Sequence, residues 1–318
     1  MFTSPRLHHG HSGVNLAKGG SRGYSGVSPM ANDNSLTPMM EQYFRIKELH
    51  RDALLFFRLG DFYEMFFEDA KVAAPILDIA LTSRQKVPMC GVPYHAVNAY
   101  LPKLLRQGFK VAICEQVEDP KAAKGVVRRE VIKVLTPGTA VEIETEEAKE
   151  STFIVSLAFE DDGWGMALLD LAAGEVRTLE GAWTEAKLLA DEIFKAAPKE
   201  ILYPEGAEDA LRRVLPPDGT SSTALSPAEG WLFDPNQAAR VVLEHFGAKS
   251  LAGFGLEDKR SAAAAAGALI AYVKRVRQDS LALVHRISYL NAASHLVLDA
   301  TTVRNLELIR NLRDGKLK

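Results

Sequence analysis

The chain has 318 residues, 47% hydrophobic and 25% charged, which fits a water-soluble globular protein of two or three domains and excludes a disordered or fibrous one. No stretch approaches the roughly 20 continuous apolar residues of a membrane-spanning helix, and two cysteines, Cys90 and Cys114, are too few for a disulfide framework or thiolate metal site. The net charge of −3 is unevenly spread: residues 84–133 hold 10 Lys/Arg against 4 acids, whereas residues 141–258 hold 9 against 24. The few cysteines suit a reducing, cytoplasmic setting.

Residues 1–36 are rich in Gly, Ser and His without an apolar period and are expected to be a disordered tail, with His8, His9 and His11 solvated. Thr37 and Pro38 suit the N-cap and first position of a helix running to about His50. Ala53–Leu59 is a continuous apolar run of strand length, ended by Gly60. Asp61 is read as the cap of a second helix, whose stripe is Tyr63, Phe66, Phe67, Ala70, Ala73, Ala74 and Leu77. Pro88, Gly91 and Pro93 are read as loop residues. A helix is expected around Ala96–Gln107, then strands at Lys110–Cys114 and Val131–Leu135, closed by Thr136-Pro137-Gly138-Thr139. Strands alternating with helices make residues 37–140 an α/β domain.

The glutamate-rich residues 141–148 read as a linker. Phe153–Phe159, Gly165–Asp170 and Glu175–Thr178 are short strands split by turns, a hairpin meander. Further strand and helical segments run to Tyr203. Residues 215–229 read as a loop, and Asn236–His245 and Ser261–Arg277 as helices. A new helix is expected at Thr301–Leu312, opening an all-α region over residues 279–318 that reads as cut off at Lys318.

The segment Gly60-Asp61-Phe62-Tyr63-Glu64 carries the most chemistry. An exposed ring at a chain corner can wedge between base pairs, and unstacking costs least at a mismatch or unpaired base. A carboxylate beside it can hydrogen-bond one displaced base while repelling ordinary duplex phosphates. Against this, Asp61 and Glu64 have capping-box spacing, and on the residues alone the favoured reading is that Glu64 caps a helix and Phe62 is core. A basic block beside an acidic one suits nucleic-acid contact by one module only, and equally a solvated surface of uneven charge.

Thr37-Pro38-Met39-Met40-Glu41-Gln42-Tyr43 and Phe57-Arg58-Leu59-Gly60-Asp61-Phe62-Tyr63-Glu64-Met65-Phe66 resemble the opening of the MutS family of mismatch repair proteins. So do Gly91-Val92-Pro93-Tyr94-His95-Ala96-Val97, Ala112-Ile113-Cys114-Glu115-Gln116 and Leu135-Thr136-Pro137-Gly138-Thr139. Leu298–Glu307 resembles the start of that family's core domain. The resemblance implies a mixed-sheet mismatch-recognition domain over residues 37–140. It implies an RNase H-like connector domain over 149–278 and a truncated all-α core over 279–318.

It further implies that Phe62 and Glu64 probe mismatches, and that Arg84 contacts DNA backbone. Met89 and Tyr94 would lie in a loop near the duplex. The implied partners are double-stranded DNA with mismatches or small loops, and a MutL-type protein on the connector. The full-length family member is expected to be a dimeric ATPase using ATP and Mg²⁺ in the bacterial cytoplasm, associated with the nucleoid. This chain itself is expected to be monomeric, non-enzymatic and without cofactor or metal, because no Walker motif is visible. Gly247-Ala248-Lys249-Ser250 lacks the glycines of a phosphate-binding loop, and Gly253-Phe254-Gly255 is too short for a dinucleotide fingerprint.

The alternative is a metal-dependent nuclease of RNase H-like fold. Asp170 sits on a strand and Asp161 and Asp162 in a turn, but no further strand-borne acid stands out to complete a two-metal site.

Overall fold

The computed structural model describes residues 37–84, 86–118, 125–139, 152–215, 223–276 and 284–291. The tail, the glutamate-rich linker and the helix expected at Thr301–Leu312 fall outside these residues. Two consecutive α/β domains are present, each built on a six-stranded mixed sheet.

In the first domain α1 (Pro38–Leu49) begins as expected, with Thr37 accepting the Met40 N–H and Pro38 in the first turn. The strands are β1 (Ala53–Leu59), β2 (Phe62–Phe66), β3 (Thr82–Arg84), β4 (Val87–Pro93), β5 (Lys110–Gln116) and β6 (Arg129–Leu135). Their order is β3-β4-β2-β1-β5-β6. Only β1 and β5 pair in parallel. Helices α2 (Phe67–Leu77) and α3 (Val97–Arg106) pack their apolar stripes on one face. That core contains Leu54, Phe56, Tyr63, Met65 and Val92. The other face takes Tyr43 and Ile46 of α1 against Leu55, Phe57 and Phe66. Tyr43 meets Phe57 and Phe66 edge-on, with ring centroids 5.5 and 5.2 Å away.

Two expectations for this domain are corrected. Asp61 does not cap a helix: Phe62–Phe66 is a strand, and α2 begins only at Phe67. Gly60 and Asp61 form a two-residue turn between Leu59 and Phe62, which are directly paired. Gly60 takes φ of +55°, a conformation that glycine adopts without a Cβ clash. The residues read as a helical stripe therefore divide between the two faces of β2, Tyr63 toward α2 and α3 and Phe66 toward α1, and the helix after it. Pro88, Gly91 and Pro93 are not loop residues either, since β4 runs through all three, bonded to β2 and β3.

The second domain has β7 (Phe153–Phe159), β8 (Gly163–Asp170) and β9 (Glu175–Ala182) as the expected meander. Parallel strands β10 (Glu200–Pro204) and β11 (Ala224–Ala228) extend it beside β7. The order is β11-β10-β7-β8-β9-β12, where β12 (Arg286–Tyr289) pairs with β9. The sheet thus takes in chain beyond residue 278. Residues 224–228 were expected to be loop; Pro227 is accommodated because β11 is an edge strand.

Helices α4 (Ala186–Ala196) and α5 (Glu208–Val214) cover one face of this sheet, and α6 (Pro235–Phe246) and α7 (Arg260–Val276) the other. The alanines of α7 let it settle very close. A Cβ at Gly165 of β8 would collide with the Ser261 carbonyl, and one at Gly267 with Ala238 of α6.

The domains meet at a buried carboxylate. Glu200, fully buried at the start of β10, accepts hydrogen bonds from Thr136 Oγ1 (2.6 Å) and Gly138 N (3.1 Å) at the end of the first domain. It also accepts from Ser226 Oγ of β11 and Tyr272 Oη of α7, both at 2.5 Å. The Thr-Pro-Gly-Thr turn that closes the first domain is thereby fastened to three elements of the second.

Candidate nucleic-acid interface

The strand assignment of residues 62–66 decides how Phe62 and Glu64 relate. Side chains on a strand alternate between faces, so residues two apart point the same way; on a helix they would diverge. Tyr63 and Met65 enter the core beneath α2 and α3. Phe62, Glu64 and Phe66 take the opposite side of the ribbon. Phe62 occupies the first position after the turn and is 45% exposed, whereas Tyr63 beside it is 5% exposed. Among the described residues Phe62 belongs to neither of the two apolar clusters of this domain.

Glu64 lies between Phe57 of β1 and Gly91 of β4. A Cβ on residue 91 would sit 3.4 Å from Glu64 Cγ and 3.2 Å from the Tyr63 carbonyl oxygen, so glycine leaves room for the glutamate stem. The Glu64 Oε2 atom is buried and has no hydrogen-bond partner among the described residues. Burial pushes the Glu64 carboxyl above the usual carboxylate range, while the positive charge of Arg84 pulls the other way. An acceptor held this way, half-desolvated and unsatisfied, is suited to a ligand hydrogen bond. The capping-box reading of Glu64 is overturned, because no helix starts there.

Arg84 is exposed on the edge strand β3, opposite Val87. Tyr94 is 42% exposed in a short 3-10 turn after β4, and its N–H donates to the Asp61 carbonyl at 3.0 Å, tying it to the hairpin turn. Met89 differs from the expectation of a loop position. It lies within β4, half-buried, paired with Phe66 and Thr82 and packed on the core of Tyr43 and Phe57. The structure therefore gathers Phe62, Glu64 and Tyr94 around one hairpin end, brings Arg84 within electrostatic reach, and turns Met89 toward packing.

Arg58 and Glu115 were not singled out from sequence. Arg58 stacks its guanidinium 3.6 Å from the Tyr94 ring centroid and pairs with Glu115 at 3.3 Å. Tyr63 donates its hydroxyl to the same Glu115 carboxylate. Both lie in segments that carry the family resemblance, and Arg58 is the one charged residue of the otherwise apolar β1.

The basic block of residues 84–133 is partly spent on structure. Arg129 is buried and donates to the carbonyls of Arg58 (2.6 Å) and Val127 (2.8 Å). Lys110 pairs with Asp52, and Lys103 donates to the Leu77 carbonyl. Arg84, Lys86 and Arg106 remain exposed.

The acids of the second domain do not converge. Asp170 accepts the N–H groups of Ala172 and Ala173 and so shapes a turn. Glu200, a strand-borne acid that the sequence reading passed over, is saturated by its four donors. Among the described residues no group of three or more His, Cys, Asp or Glu side chains is placed to hold a metal ion. The geometry does not favour the nuclease alternative. Gly247 is the left-handed residue ending α6 rather than part of a phosphate-binding loop, and Gly255 ends a short 3-10 turn.

Comparisons with known proteins agree with this division. The family model described as MutS domain I matches residues 37–144, and that of MutS domain II matches residues 152–285. A DNA mismatch repair protein MutS of Myxococcus xanthus is 45% identical over 294 residues, covering 89% of this chain and 32% of the relative. Proteins of the same name from Symbiobacterium thermophilum and Thermodesulfovibrio yellowstonii are 43% and 44% identical, covering 88% and 90% of this chain and 33% of each relative. The chain thus spans about a third of the length of these curated relatives. With two successive MutS domains matched in order, and relatives of that name aligned along nearly nine-tenths of its length, the chain belongs to the MutS family.

Proposed function

We propose that this chain recognises mismatched or looped-out base pairs in duplex DNA and so initiates mismatch repair. The observation that carries this reading is the half-exposed Phe62 ring on the same side of its strand as the unsatisfied Glu64 carboxylate. Phe62 enters the stack where pairing is weak, because unstacking costs least there. Glu64 bonds to the displaced base, donating when protonated and accepting when ionised. Its charge weakens binding to intact duplex, so selectivity arises from a penalty as well as an attraction. Arg84 and the exposed Lys86 nearby supply backbone contacts that position without reading sequence.

The second domain is assigned the role of connector and of docking surface for a MutL-type partner, which its acidic surface suits while keeping it off DNA. The whole protein is proposed to act as a homodimer with ATP and Mg²⁺, in the bacterial cytoplasm at the nucleoid. No phosphate-cradling loop is evident in this chain, and we assign it no catalysis of its own.

The test uses a chimera in which this chain replaces the matching third of the Myxococcus xanthus relative. Phe62→Ala should bind matched and mismatched duplexes alike. Undiminished discrimination would refute the wedge assignment.

A further inference from the structure

We infer that Arg58 is a positioning residue for mismatch reading: it locks the hairpin turn before Phe62 and the neighbouring Tyr94 into one rigid tip. This rests on the proposed role of Phe62 and extends it to the residues that aim the ring.

The guanidinium sits behind the tip and engages it from three directions. Its Nε donates to the Gly60 carbonyl at 2.6 Å, inside the turn that sets where Phe62 emerges. Its Cζ lies over the Tyr94 ring, 3.6 Å from the centroid. Its Nη1 is held at 3.3 Å by Glu115 of β5, which also accepts the Tyr63 hydroxyl. Tyr94 is itself bonded through its N–H to the Asp61 carbonyl, so Arg58 and the backbone close a ring of contacts around Gly60, Asp61 and Tyr94. The Arg58 side chain is 15% exposed and Glu115 25%, so the pair is shielded from competing water.

Only arginine meets all these demands. Lysine keeps the charge but has neither the flat face for stacking nor the spread donors that reach Gly60 and Glu115 together. A wedge whose base is loose must be ordered on binding, and that ordering subtracts from the affinity gained at the mismatch. Arg58 removes the loss in advance. It acts through Phe62 and Tyr94 and need not touch DNA.

The test has two readouts. In the 318-residue chain, amide hydrogen exchange at Tyr94 reports whether the tip is closed, with the buried Leu55 amide as an internal reference for global stability. Arg58→Lys and Arg58→Ala should both speed exchange at Tyr94 and leave Leu55 unchanged. If Arg58→Ala fails to fold, Arg58→Lys decides the question. Unchanged Tyr94 exchange in the folded variants overturns the inference.

In the chimera described above, Arg58→Lys should lower the mismatch-to-matched affinity ratio about three- to ten-fold with matched-duplex affinity unaltered. In the Phe62→Ala background the same change should have no further effect. A full additional loss there would mean that Arg58 acts on DNA directly and would overturn the positioning role. If Phe62→Ala alone leaves discrimination intact, the wedge reading fails, while hydrogen exchange still reports independently on whether Arg58 holds the tip.

Discussion

Thr136 donates its hydroxyl hydrogen to Glu200 across 2.6 Å, joining the turn after β6 of the first domain to β10 of the second, 64 positions apart in the chain. The carboxylate receiving it is fully buried and also takes the Gly138 N–H and the hydroxyls of Ser226 and Tyr272. Burial and the adjacent Glu200 charge raise the Tyr272 hydroxyl well above the usual tyrosine range, so it stays a donor at any ordinary pH. Because every group has a partner, the seam holds only while the acceptor is present.

Removing that acceptor should be severe. Glu200→Ala leaves buried hydroxyls and an N–H unsatisfied, and should cost about 3–5 kcal/mol. Glu200→Gln should cost less but remain destabilising, since its amide N–H₂ group must face a donor. Thermal unfolding of the 318-residue chain measures both, and wild-type midpoints would show that the network is dispensable.

Phe62→Ala should leave the fold intact, because the ring is 45% exposed. Its effect should fall on mismatched DNA alone, with backbone contacts from Arg84 and its neighbours surviving. Parallel titrations of matched and mismatched duplexes with the chimera test this. A comparable loss on both duplexes would assign Phe62 to general binding.

Glu64→Gln should strengthen binding to matched duplex, since it deletes a repulsive charge with little change of shape. The same charge gives a pH dependence of definite sign. The folded-state pKa lies above the ordinary 4.5 and the native state therefore holds the proton more tightly. As pH falls through the raised value the native state takes up the proton, and the cost of burying the charge disappears. Stability contributed by this site thus falls as pH rises from 4.5 through the raised value, and matched-duplex affinity should fall with it. Glu64→Gln should flatten both profiles. Identical pH profiles of variant and wild type would rule out a charged probe at this position.

The 318-residue chain alone should bind DNA loosely. Arg129, Lys110 and Lys103 are engaged within the fold, which leaves few cations to release counterions from phosphate. Dissociation constants of about 10⁻⁴ to 10⁻⁶ M, weakening with added salt, are expected. The chain should not cleave DNA, and Asp170→Asn should change nothing but the turn it stabilises. Nanomolar, mismatch-selective binding by a monomer would show that the two domains suffice for recognition.

The strongly apolar strands Ala53–Leu59 and Phe153–Phe159 and the helix opened by Thr37-Pro38 were legible in sequence, because continuous burial and a capping pair leave direct marks. The strand Phe62–Phe66 was not. Tyr63, Phe66, Phe67 and Ala70 fit a helical period as readily as a strand followed by a helix. Strands β4 and β11 were hidden by prolines and a glycine, which local rules assign to turns and only sheet pairing can place. Phe62 and Glu64 were located by family resemblance. Their common side, the supporting Arg58–Glu115 pair 57 residues apart and the seam at Glu200 arise from contacts that no local window contains.

The period-two geometry of β2 also sets which mutations the hairpin can survive. Gly60 and Asp61 allow no slack between β1 and β2, and β4 pins the strand along its other edge from Phe62 to Phe66. Deleting or inserting one residue between Phe62 and Phe66 would exchange the two sides of the strand downstream of the change. An insertion directly after Phe62 would drive Glu64 beneath α2 and α3 and put Tyr63 in its outward place, whereas deletion of Tyr63 would bury Glu64 and put Met65 there. Reading-frame-preserving insertions and deletions of a single codon in this five-residue strand should therefore be far more damaging than most substitutions in it, and lineages should vary here by exchange of residues rather than by change of length.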